Sequence, residues 1–407
     1  MKEVSLRAVC TASGIHAKAL GEKIAAAYCA SDYRDVLKDE EINAVLIGTR
    51  HGDHGQMVVE SLRAGKHVFV EKPLCLSEEA LEEITAVYEA KATEGIQLMV
   101  GFNRRFSPHM AQARALFQDR KNPLVMLYRV NAGAISPDHW VHDPEIGGGR
   151  ILGEACHFID CMQALCGSVP TSVHARRIDH HTSGITEDQS LLSFSFADGS
   201  IGTVIYAAGG DTALAKERFE AFGEGKAVII DDFIKTESFS GGKGNRFKTT
   251  KQDKGFQMEM TRFVEAIQGG TPAMSFAEIQ AVTKATLRAV ESFRTGAVYA
   301  LERVDGMANL KWMVKRLRVM GPTEIAHRIG EQWTLKMMAA RYRMGRGGIV
   351  SSEREFSRFE FCRGTAPKLP TLPIKIADPE EIDRLLCRKN QDRRPALAVA
   401  PRRGRLA

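Results

Sequence analysis

The tripeptide Glu71-Lys72-Pro73 is the first candidate for chemistry in this chain. It follows the apolar run 67–70 (HVFV), which predicts a buried strand. Ligands of open α/β sheets bind at the carboxyl ends of strands, so a lysine held there can present its ammonium group to a reacting oxygen. The proline fixes the turn and makes a cis peptide possible. The plainer interpretation is a surface lysine–glutamate pair that closes a strand.

A second candidate, His157, lies in the segment 147–160 (GGGRILGEACHFID), where three glycines precede a predicted helix. Imidazole titrates near neutral pH and suits a general base. Glu154 lies three residues before His157. Because positions i and i+3 share a helix face, this carboxylate is expected to orient the ring. The alternative interpretation of His157 is a satisfied, partly buried structural histidine.

These segments resemble the signature of the Gfo/Idh/MocA family, the relatives of glucose–fructose oxidoreductase and inositol dehydrogenase. The run 64–74 (AGKHVFVEKPL) carries most of the resemblance, which extends over about residues 4–300. It implies NAD(P)-dependent hydride transfer between nicotinamide and a secondary hydroxyl or ketone of a sugar or nucleotide sugar. His157 would then take the hydroxyl proton, and Lys72 would stabilise the charge developing on oxygen. The family pattern has a carboxylate four residues before the histidine, where this chain has Gly153.

The resemblance also places cofactor contacts at the ends of two strands. The first group of contacts follows the predicted strand 44–49 (AVLIGT). The second group is the tripeptide Glu71-Lys72-Pro73. The expected cofactor residues are Thr49, Arg50, His54, Glu71, Lys72 and Pro73. His51 and His54 have an HxxH spacing, but two histidines alone do not define a metal site, and none is predicted.

Ser13 ends the first predicted strand and is the remaining cofactor candidate. NAD-specific sites commonly carry an acid near this point to bind the ribose hydroxyls. No acid occurs there, and His16 and Lys18 lie nearby. The expected cofactor is NAD or NADP, with a lean toward NADP.

Three residues are expected to contact a sugar substrate: Arg104, Trp140 and His157. Arg104 follows the predicted strand 97–101, and the family has a similar arginine there. A solvated basic turn is the alternative for Arg104. Trp140 precedes the glycine run and either shapes the sugar pocket or anchors its loop.

Residues 1–103 alternate strands and helices, which predicts a Rossmann-type parallel sheet. No G-x-G-x-x-G follows a strand, and the first predicted strand, 6–11, matches the family's second. The sheet is therefore expected to be incomplete, without its first βα unit. In a bi-domain subgroup of the family, a medium-chain dehydrogenase-like domain precedes this part, so the chain is expected to be a middle piece of a longer polypeptide.

Residues 104–300 predict an α+β domain with a mostly antiparallel open sheet. Hairpin turns are expected at Asp198-Gly199 and Glu224-Gly225. The family often uses this sheet for oligomer packing, so a homo-oligomer is expected. The rival to the enzyme is a catalytically silent or oligomer-assembly module of a larger polysaccharide-metabolism protein.

Residues 301–407 form a basic tail with 23 Lys/Arg and 12 Asp/Glu, a net charge of +11 against −5 for the rest. Its first part resembles the start of heparinase II/III-family proteins and is predicted to be helical to about residue 344, with irregular chain after it. An anionic partner is one interpretation of this charge and a solvated tail the other. No nucleic-acid motif supports the former.

The remaining composition indicates an ordinary globular protein. No run of apolar residues is long enough for a transmembrane helix, and the first residues lack the apolar core of a signal peptide. Eight cysteines without paired short spacing favour reduced thiols in a cytoplasm.

Overall fold

The computed structural model describes residues 4–91, 94–301 and 396–400. The first of these ranges alternates strands with helices, as the sequence predicts. The strands up to residue 100 are β1 (Ser5–Cys10), β2 (Tyr28–Ala30), β3 (Ala44–Ile47), β4 (His67–Val70) and β5 (Leu98–Val100). The helices between them are α1 (Gly14–Ile24), α2 (Tyr33–Leu37), α3 (His51–Arg63) and α4 (Glu78–Ala90).

Local sequence explains where these elements begin and end. All four residues of β3 and the last three of β4 are buried, because helices cover both faces of a parallel sheet. The Ser77 side chain accepts a hydrogen bond from the Ala80 backbone N–H and so caps α4. Gly65, at φ +72°, makes the turn between α3 and β4 in a conformation that favours glycine. The carboxyl ends of β3 and β4 therefore lie side by side.

A sixth strand, β15 (Ala396–Ala400), completes this sheet from the far end of the chain. The strand order is β2-β1-β15-β3-β4-β5. The pairs β1–β2, β3–β4 and β4–β5 are parallel, whereas β15 is antiparallel to both of its neighbours. The predicted Rossmann-type parallel sheet is confirmed, and an unpredicted strand stands in its middle.

The described residues after 104 form a second sheet of nine strands, together with four principal helices. Its strands are β6 (Val125–Asn131), β7 (Pro170–Arg177), β8 (Gln189–Phe196), β9 (Ile201–Ala207), β10 (Glu217–Gly223), β11 (Lys226–Asp231), β12 (Lys235–Ser240), β13 (Lys243–Lys248) and β14 (Tyr299–Ala300). Its helices are α5 (Pro108–Phe117), α6 (Cys156–Cys166), α7 (Phe256–Ile267) and α8 (Phe276–Thr295). The order is β13-β12-β11-β10-β6-β9-β8-β7-β14.

This sheet is antiparallel except for the parallel pair β6–β9, which confirms the predicted mostly antiparallel architecture. One face is buried against α6 and α8. The other leaves Val125, Leu191 and Ile201 about half exposed. The expected hairpins are also confirmed. The turn between β10 and β11 has φ +51° at Glu224 and φ +70° at Gly225, as a two-residue hairpin requires.

The structure corrects several sequence-based boundaries. The sequence pattern predicts a helix over residues 15–28, but α1 ends at Ile24 and Tyr28 begins β2. It also predicts a helix over residues 56–64, but α3 already begins at His51, so the polar segment after β3 is helical. The hairpin formed by β12 and β13 was not predicted. Most of the tail lies outside the described residues, but β15 is a strand where irregular chain was expected. Among the described residues, no helix is both long and apolar enough to cross a membrane.

Candidate active site

The carboxyl ends of β3 and β4 open into a pocket of about 270 Å³. Its opposite wall is the chain that leads into α6. Six of the predicted site residues line this pocket: Thr49, His54, Glu71, Lys72, Trp140 and Glu154. Residues from both predicted domains therefore meet at the edge where open α/β sheets bind ligands.

A larger cavity, of about 450 Å³, lies elsewhere. Arg105, Arg114 and Gln163 line it, and it contains none of the predicted site residues. The Arg105 guanidinium is already paired with Asp160 and Glu278. The charge of Arg105 is therefore already matched within the protein. We place the chemistry in the smaller pocket, because the predicted site residues line it.

Lys72 projects from the end of β4 into the pocket. The peptide bond between Lys72 and Pro73 is cis. The Glu71 backbone N–H donates to the Ile47 carbonyl at 2.8 Å, which fixes the turn against β3. The Lys72 Nζ donates a 2.6 Å hydrogen bond to the Gly153 carbonyl oxygen. The ammonium group thus reaches from the first sheet to the segment that precedes α6.

His54 ties the two strand ends together. Its Nδ1 lies 2.7 Å from the Pro73 carbonyl oxygen and its Nε2 lies 3.1 Å from the Thr49 carbonyl oxygen. His54 is fully buried. Because both ring nitrogens face backbone carbonyls, we expect His54 to position the pocket rather than to bind a ligand through those atoms.

Glu154 lies in a π-helical turn, Ile151–Ala155, directly before α6. The Lys216 Nζ donates to Glu154 Oε1 at 2.6 Å, and the Tyr206 hydroxyl donates to Oε2. Arg150 Nη2 lies 3.7 Å from the same carboxylate. Burial alone would raise the Glu154 pKa, but the Lys216 charge and these hydrogen bonds lower it to about 2. Glu154 is therefore a carboxylate at neutral pH.

His157 lies in the first turn of α6 and is 6% exposed. Its Nδ1 is buried and has no hydrogen-bond partner among the described residues. Burial, followed by the charges of Arg104 and Lys72, lowers the His157 pKa well below its ordinary value of 6.5. The ring is therefore neutral, and it can accept a proton.

The expected orientation of His157 by Glu154 is not what the structure shows. Glu154 Oε1 accepts a hydrogen bond from Lys216, and Oε2 accepts one from Tyr206. In the described part of the chain, no hydrogen bond joins Glu154 to His157. The expectation assumed α-helical spacing between the two residues. A π turn holds an extra residue, so positions three apart no longer share a face.

His51 fills the space beside Gly153, where the family pattern has a carboxylate. A Cβ atom at Gly153 would lie 2.7 Å from His51 Cε1. The His51 ring also packs edge-on against Trp140, with ring centroids 5.0 Å apart, and its Nδ1 lies 2.8 Å from the Gly147 carbonyl oxygen. Gly153, which has no side chain, leaves the space that the His51 ring occupies, so the two residues are sterically complementary.

Trp140 lines the pocket, as predicted for a substrate residue. Its indole Nε1 is buried without a hydrogen-bond partner among the residues described. Buried indole N–H groups normally find a partner. Trp140 lines the pocket with this donor unpaired among the described residues, whereas His157, whose Nδ1 is likewise orphaned, is not one of the residues that line the pocket.

Arg104 lies behind the pocket and not in its wall. Its guanidinium makes a bidentate pair with Glu217, at 2.7 Å and 2.8 Å, and both side chains are buried. Lys254 and Tyr128 also donate to Glu217, at 2.8 Å and 2.7 Å. Burial would raise the Glu217 pKa, but these partners hold it far below its ordinary value. The predicted substrate contact of Arg104 is thus replaced by a buried ionic network.

Ser13 and Arg50 stand outside the pocket lining. Ser13 follows β1, at the N-cap of α1, and its side chain makes no capping hydrogen bond. The Arg50 guanidinium lies over the Trp140 ring, 5.5 Å from its centroid. Among the described residues, no group of three histidine, cysteine, aspartate or glutamate side chains could hold a metal ion.

The residues present fit the nicotinamide end of a nicotinamide dinucleotide better than its pyrophosphate. The strand ends that carry Thr49 and Lys72 open into the pocket, and the orphaned indole nitrogen of Trp140 in its lining suits a polar reactant beside a nicotinamide. The pyrophosphate normally sits on a glycine-rich turn at a helix N-terminus after the central strand. In the described sheet the central strand is β15, which runs in the opposite direction.

Comparison with known proteins agrees with this geometry. Residues 1–102 match the family model described as an oxidoreductase family with an NAD-binding Rossmann fold, and residues 112–229 match the GFO/IDH/MocA C-terminal domain. The chain therefore belongs to the Gfo/Idh/MocA oxidoreductase family, and it is an NAD(P)-dependent dehydrogenase of that type.

Among individual relatives, the scyllo-inositol 2-dehydrogenase (NAD(+)) of Bacillus subtilis is 28% identical over 67% of this chain and 81% of its own length. The inositol 2-dehydrogenase of Rhizobium meliloti is 28% identical over 62% of this chain and 79% of its own. A levoglucosan dehydrogenase solved with NADH and levoglucosan has the same fold, with a TM-score of 0.65 at 21% identity, over 73% of this chain and 91% of that structure.

Among the lining residues with titratable side chains, sequence reasoning missed Arg150, Lys216 and His51. Lys216 precedes β10 and meets Glu154 across 62 residues of sequence, so spacing gives no signal. A signal for His51 was present, since it lies shortly after the end of β3, at the start of α3, and one helical turn before His54.

Proposed function

We propose that this pocket transfers hydride between nicotinamide and a secondary hydroxyl carbon of a cyclic polyol or sugar. The observation that carries the proposal is the contact of the Lys72 ammonium with the Gly153 carbonyl, in the π turn that leads into α6, the helix that holds His157. The proposal is that a substrate hydroxyl bound beside Lys72 also contacts the neutral imidazole of His157. The named relatives that act on inositols support a polyol or sugar as the substrate.

His157 and Lys72 have different roles at the reacting oxygen: His157 transfers the proton, and Lys72 stabilises the negative charge. In the oxidation direction, the neutral imidazole takes the hydroxyl proton as the carbon–hydrogen bond breaks. The Lys72 ammonium donates a hydrogen bond to the same oxygen, whose negative charge grows during the step. Nicotinamide supplies a two-electron hydride acceptor when bound. In the reduction direction, the imidazolium returns the proton to the oxygen.

We propose that Glu154 interacts with the ammonium groups of Lys216 and Lys72 and does not orient His157. Its carboxylate is bonded to Lys216, and the Lys72 charge also favours its ionised form. By electrostatic reciprocity, Glu154 stabilises the protonated form of Lys72. We therefore assign Glu154 as a positioning residue that keeps the ammonium group charged and in place.

The cofactor contacts remain as proposed from the sequence. Thr49, Glu71 and Lys72 line the pocket, which supports their role beside a nicotinamide. His54 also lines the pocket, whereas Arg50 and Pro73 lie outside its lining, next in sequence to Thr49 and Lys72. Ser13, at the end of β1, stands where the adenosine ribose is bound in such folds, and it supports the lean toward NADP. The half-exposed apolar residues of the second sheet support the proposed homo-oligomer.

The test is reduction of NAD⁺ and NADP⁺ by a panel of inositols and aldoses, compared between the wild type and Lys72→Met. We expect turnover with at least one polyol and a fall in kcat of about 10²–10³-fold in the variant, because one oxyanion donor is lost. Lys66→Met is the matched control. Lys66 also donates to backbone carbonyls, at 2.8 Å and 2.6 Å, but it lies outside the pocket. Equal kcat in the wild type and Lys72→Met would reject the assignment.

A further inference from the structure

The cavity of about 450 Å³ lies among the four principal helices of the second domain. Its lining includes Arg114 on α5, Gln163 on α6, Arg262 on α7 and Glu278 on α8, and we call it the arginine cavity. Among the described residues, none lines both this cavity and the candidate active-site pocket. Small-molecule sites commonly measure about 300–1,000 Å³. The arginine cavity is therefore a separate space of ligand size.

The lining of the arginine cavity carries more positive than negative charge. Three guanidinium groups, those of Arg105, Arg114 and Arg262, face one carboxylate, that of Glu278. Both oxygens of this carboxylate are already engaged, since Oε1 accepts from Arg105 and Oε2 accepts from Ser275. Glu278 therefore has no oxygen left over for the other two guanidinium groups.

Arg114 is a partly buried cation whose charge is not matched by a direct ion pair. Its Nη1 donates to the Arg105 carbonyl oxygen at 2.6 Å, and among the described residues it forms no salt bridge with a carboxylate. Burial lowers the pKa of Arg114 below its ordinary value of 12.5, and the charges of Arg105 and Arg262 lower it further. A guanidinium group stays charged at neutral pH. An anion bound beside Arg114 would therefore offset the repulsion from these two like charges.

Arg262 is free to turn toward such an anion at small cost. Its Nη1 lies 2.9 Å from a carboxylate oxygen of Glu265, one turn further along α7, and both side chains are more than half exposed. Exposed ion pairs of this kind contribute little to stability. Arg262 and Arg114 can therefore hold one anionic group between α7 and α5.

Gln163 supplies a second, independent sign of a ligand. This side chain lines the arginine cavity and is 1% exposed. Its Nε2 donates to the Glu278 backbone carbonyl at 3.2 Å, which fixes the orientation of the amide. Its Oε1 is buried without a hydrogen-bond partner within the described ranges. Buried amide oxygens normally accept a hydrogen bond, so a ligand with a hydroxyl group would provide the missing donor.

We propose that the arginine cavity is a second binding site, and that its ligand is a small hydroxylated anion of the sugar phosphate or sugar acid class. Arg114 and Arg262 hold the anionic group, and Gln163 accepts a hydrogen bond from a hydroxyl group. The site does not depend on the proposed hydride transfer, because it shares no side chain with the pocket that holds Lys72.

Binding is tested by calorimetric titration of the full chain with D-glucose 6-phosphate and with D-gluconate, which separate phosphate from carboxylate recognition. We expect saturable binding of at least one probe and a loss of affinity of about tenfold or more in Arg262→Met. Arg294→Met is the matched control, since Arg294 pairs with Glu291 at the surface of α8 and lies outside the cavity. No saturable binding of either probe, or equal losses in the two variants, would overturn the proposal.

The location of the ligand is tested by filling the cavity without changing its charge. Ala164→Leu on α6 and Ala273→Leu in the loop before α8 each add bulk to the lining, and each should abolish binding. Ala115→Leu, at an exposed position on α5 outside the cavity, should leave binding unchanged. Thermal melting identifies a filling variant that is folded. Binding kept in a folded filling variant would place the probe elsewhere and overturn the proposal.

The need for a hydroxyl group is tested with methyl phosphate, whose dianion has none. We expect the wild type to bind it about fivefold or more weakly than D-glucose 6-phosphate. Gln163→Met should weaken binding of D-glucose 6-phosphate by a similar factor and leave the affinity for methyl phosphate unchanged. Equal affinities of the wild type for the two phosphates would overturn the assignment of a hydroxylated ligand.

Discussion

The Lys72 Nζ donates a 2.6 Å hydrogen bond to the Gly153 carbonyl oxygen, 81 residues further along the chain. This contact joins the end of β4 to the π-helical turn before α6. A carbonyl oxygen accepting from the ammonium group marks where a substrate hydroxyl can be contacted by the same donor. His157 follows Gly153 by four residues, in the first turn of α6. The proposed function has Lys72 and His157 act on one substrate oxygen from these two elements.

The pH dependence of alcohol oxidation should report the neutral state of His157. Its pKa lies well below 6.5, because burial and then the charges of Arg104 and Lys72 disfavour the imidazolium. We expect kcat/KM to be flat through neutral pH and to fall only as the pH drops through this lowered pKa, where the base becomes protonated. His157→Gln should remove this acid limb and lower kcat by about 10²–10⁴-fold. An acid limb centred above pH 6.5, or one kept in the variant, would contradict the role.

The Glu154–Lys216 pair should contribute to stability in a defined pH range. The folded-state pKa of Glu154 is about 2, against an ordinary value of 4.5. Its contribution is therefore present above pH 4.5 and is lost as the pH falls toward 2. Lys216→Met should lower the free energy of unfolding by about 1–2 kcal/mol at pH 7, because the Lys216 side chain is 38% exposed and solvent screens part of the interaction, and by less at pH 3.

Urea unfolding at the two pH values measures this difference. Lys38→Met is the control, since Lys38 pairs with Asp35 at the exposed surface and should cost less than about 1 kcal/mol. A loss in Lys216→Met that is the same at pH 7 and pH 3 would show that the charge of Glu154 is not the cause.

The complementarity of Gly153 and His51 predicts a non-additive pair of substitutions. Gly153→Ala places a Cβ atom 2.7 Å from His51 Cε1, so it should destabilise the protein by about 1–3 kcal/mol. In the His51→Ala background the same change should cost much less. A double-mutant cycle of unfolding free energies measures the coupling. Gly14→Ala, where no atom lies within 4 Å of the added Cβ, is the control. A coupling of zero would exclude the steric relationship.

The buried network around Glu217 predicts a large stability loss on its disruption. Arg104→Ala removes both hydrogen bonds of a bidentate pair and leaves a buried carboxylate with fewer partners. We expect a loss of about 3–5 kcal/mol in unfolding free energy, measured by urea denaturation. Arg129, on β6, donates to the Ala215 carbonyl from an accessible position, and Arg129→Ala should cost less than about 1 kcal/mol. Similar losses for the two variants would refute a buried structural role of Arg104.

Local patterns in the sequence predict the strands that position Lys72. The apolar runs of β3 and β4 are long enough to identify as buried strands, and Gly65 marks the turn before β4. The hairpin β12–β13 escaped prediction because both strands are polar, although Gly241 and Gly242 mark its turn.

The rest of the site depends on contacts that no local pattern encodes. Tyr206 and Lys216 reach Glu154 from β9 and from the start of β10, across 52 and 62 residues. The π turn before α6 changes which residues share a face with His157, and no residue type in it signals that change. The pairing of β15 with β1 joins the two ends of the described chain.

The most direct test of the central claim is deuterium transfer from a ring-deuterated inositol or aldose panel to NAD⁺ or NADP⁺, followed by mass spectrometry of the nicotinamide product. We predict that the wild type and Lys66→Met form reduced nicotinamide that carries the deuterium, and that Lys72→Met forms it about 10²–10³-fold more slowly. Absence of deuterated product across the whole panel, or equal rates in Lys72→Met and Lys66→Met, would contradict the assignment of this pocket to hydride transfer.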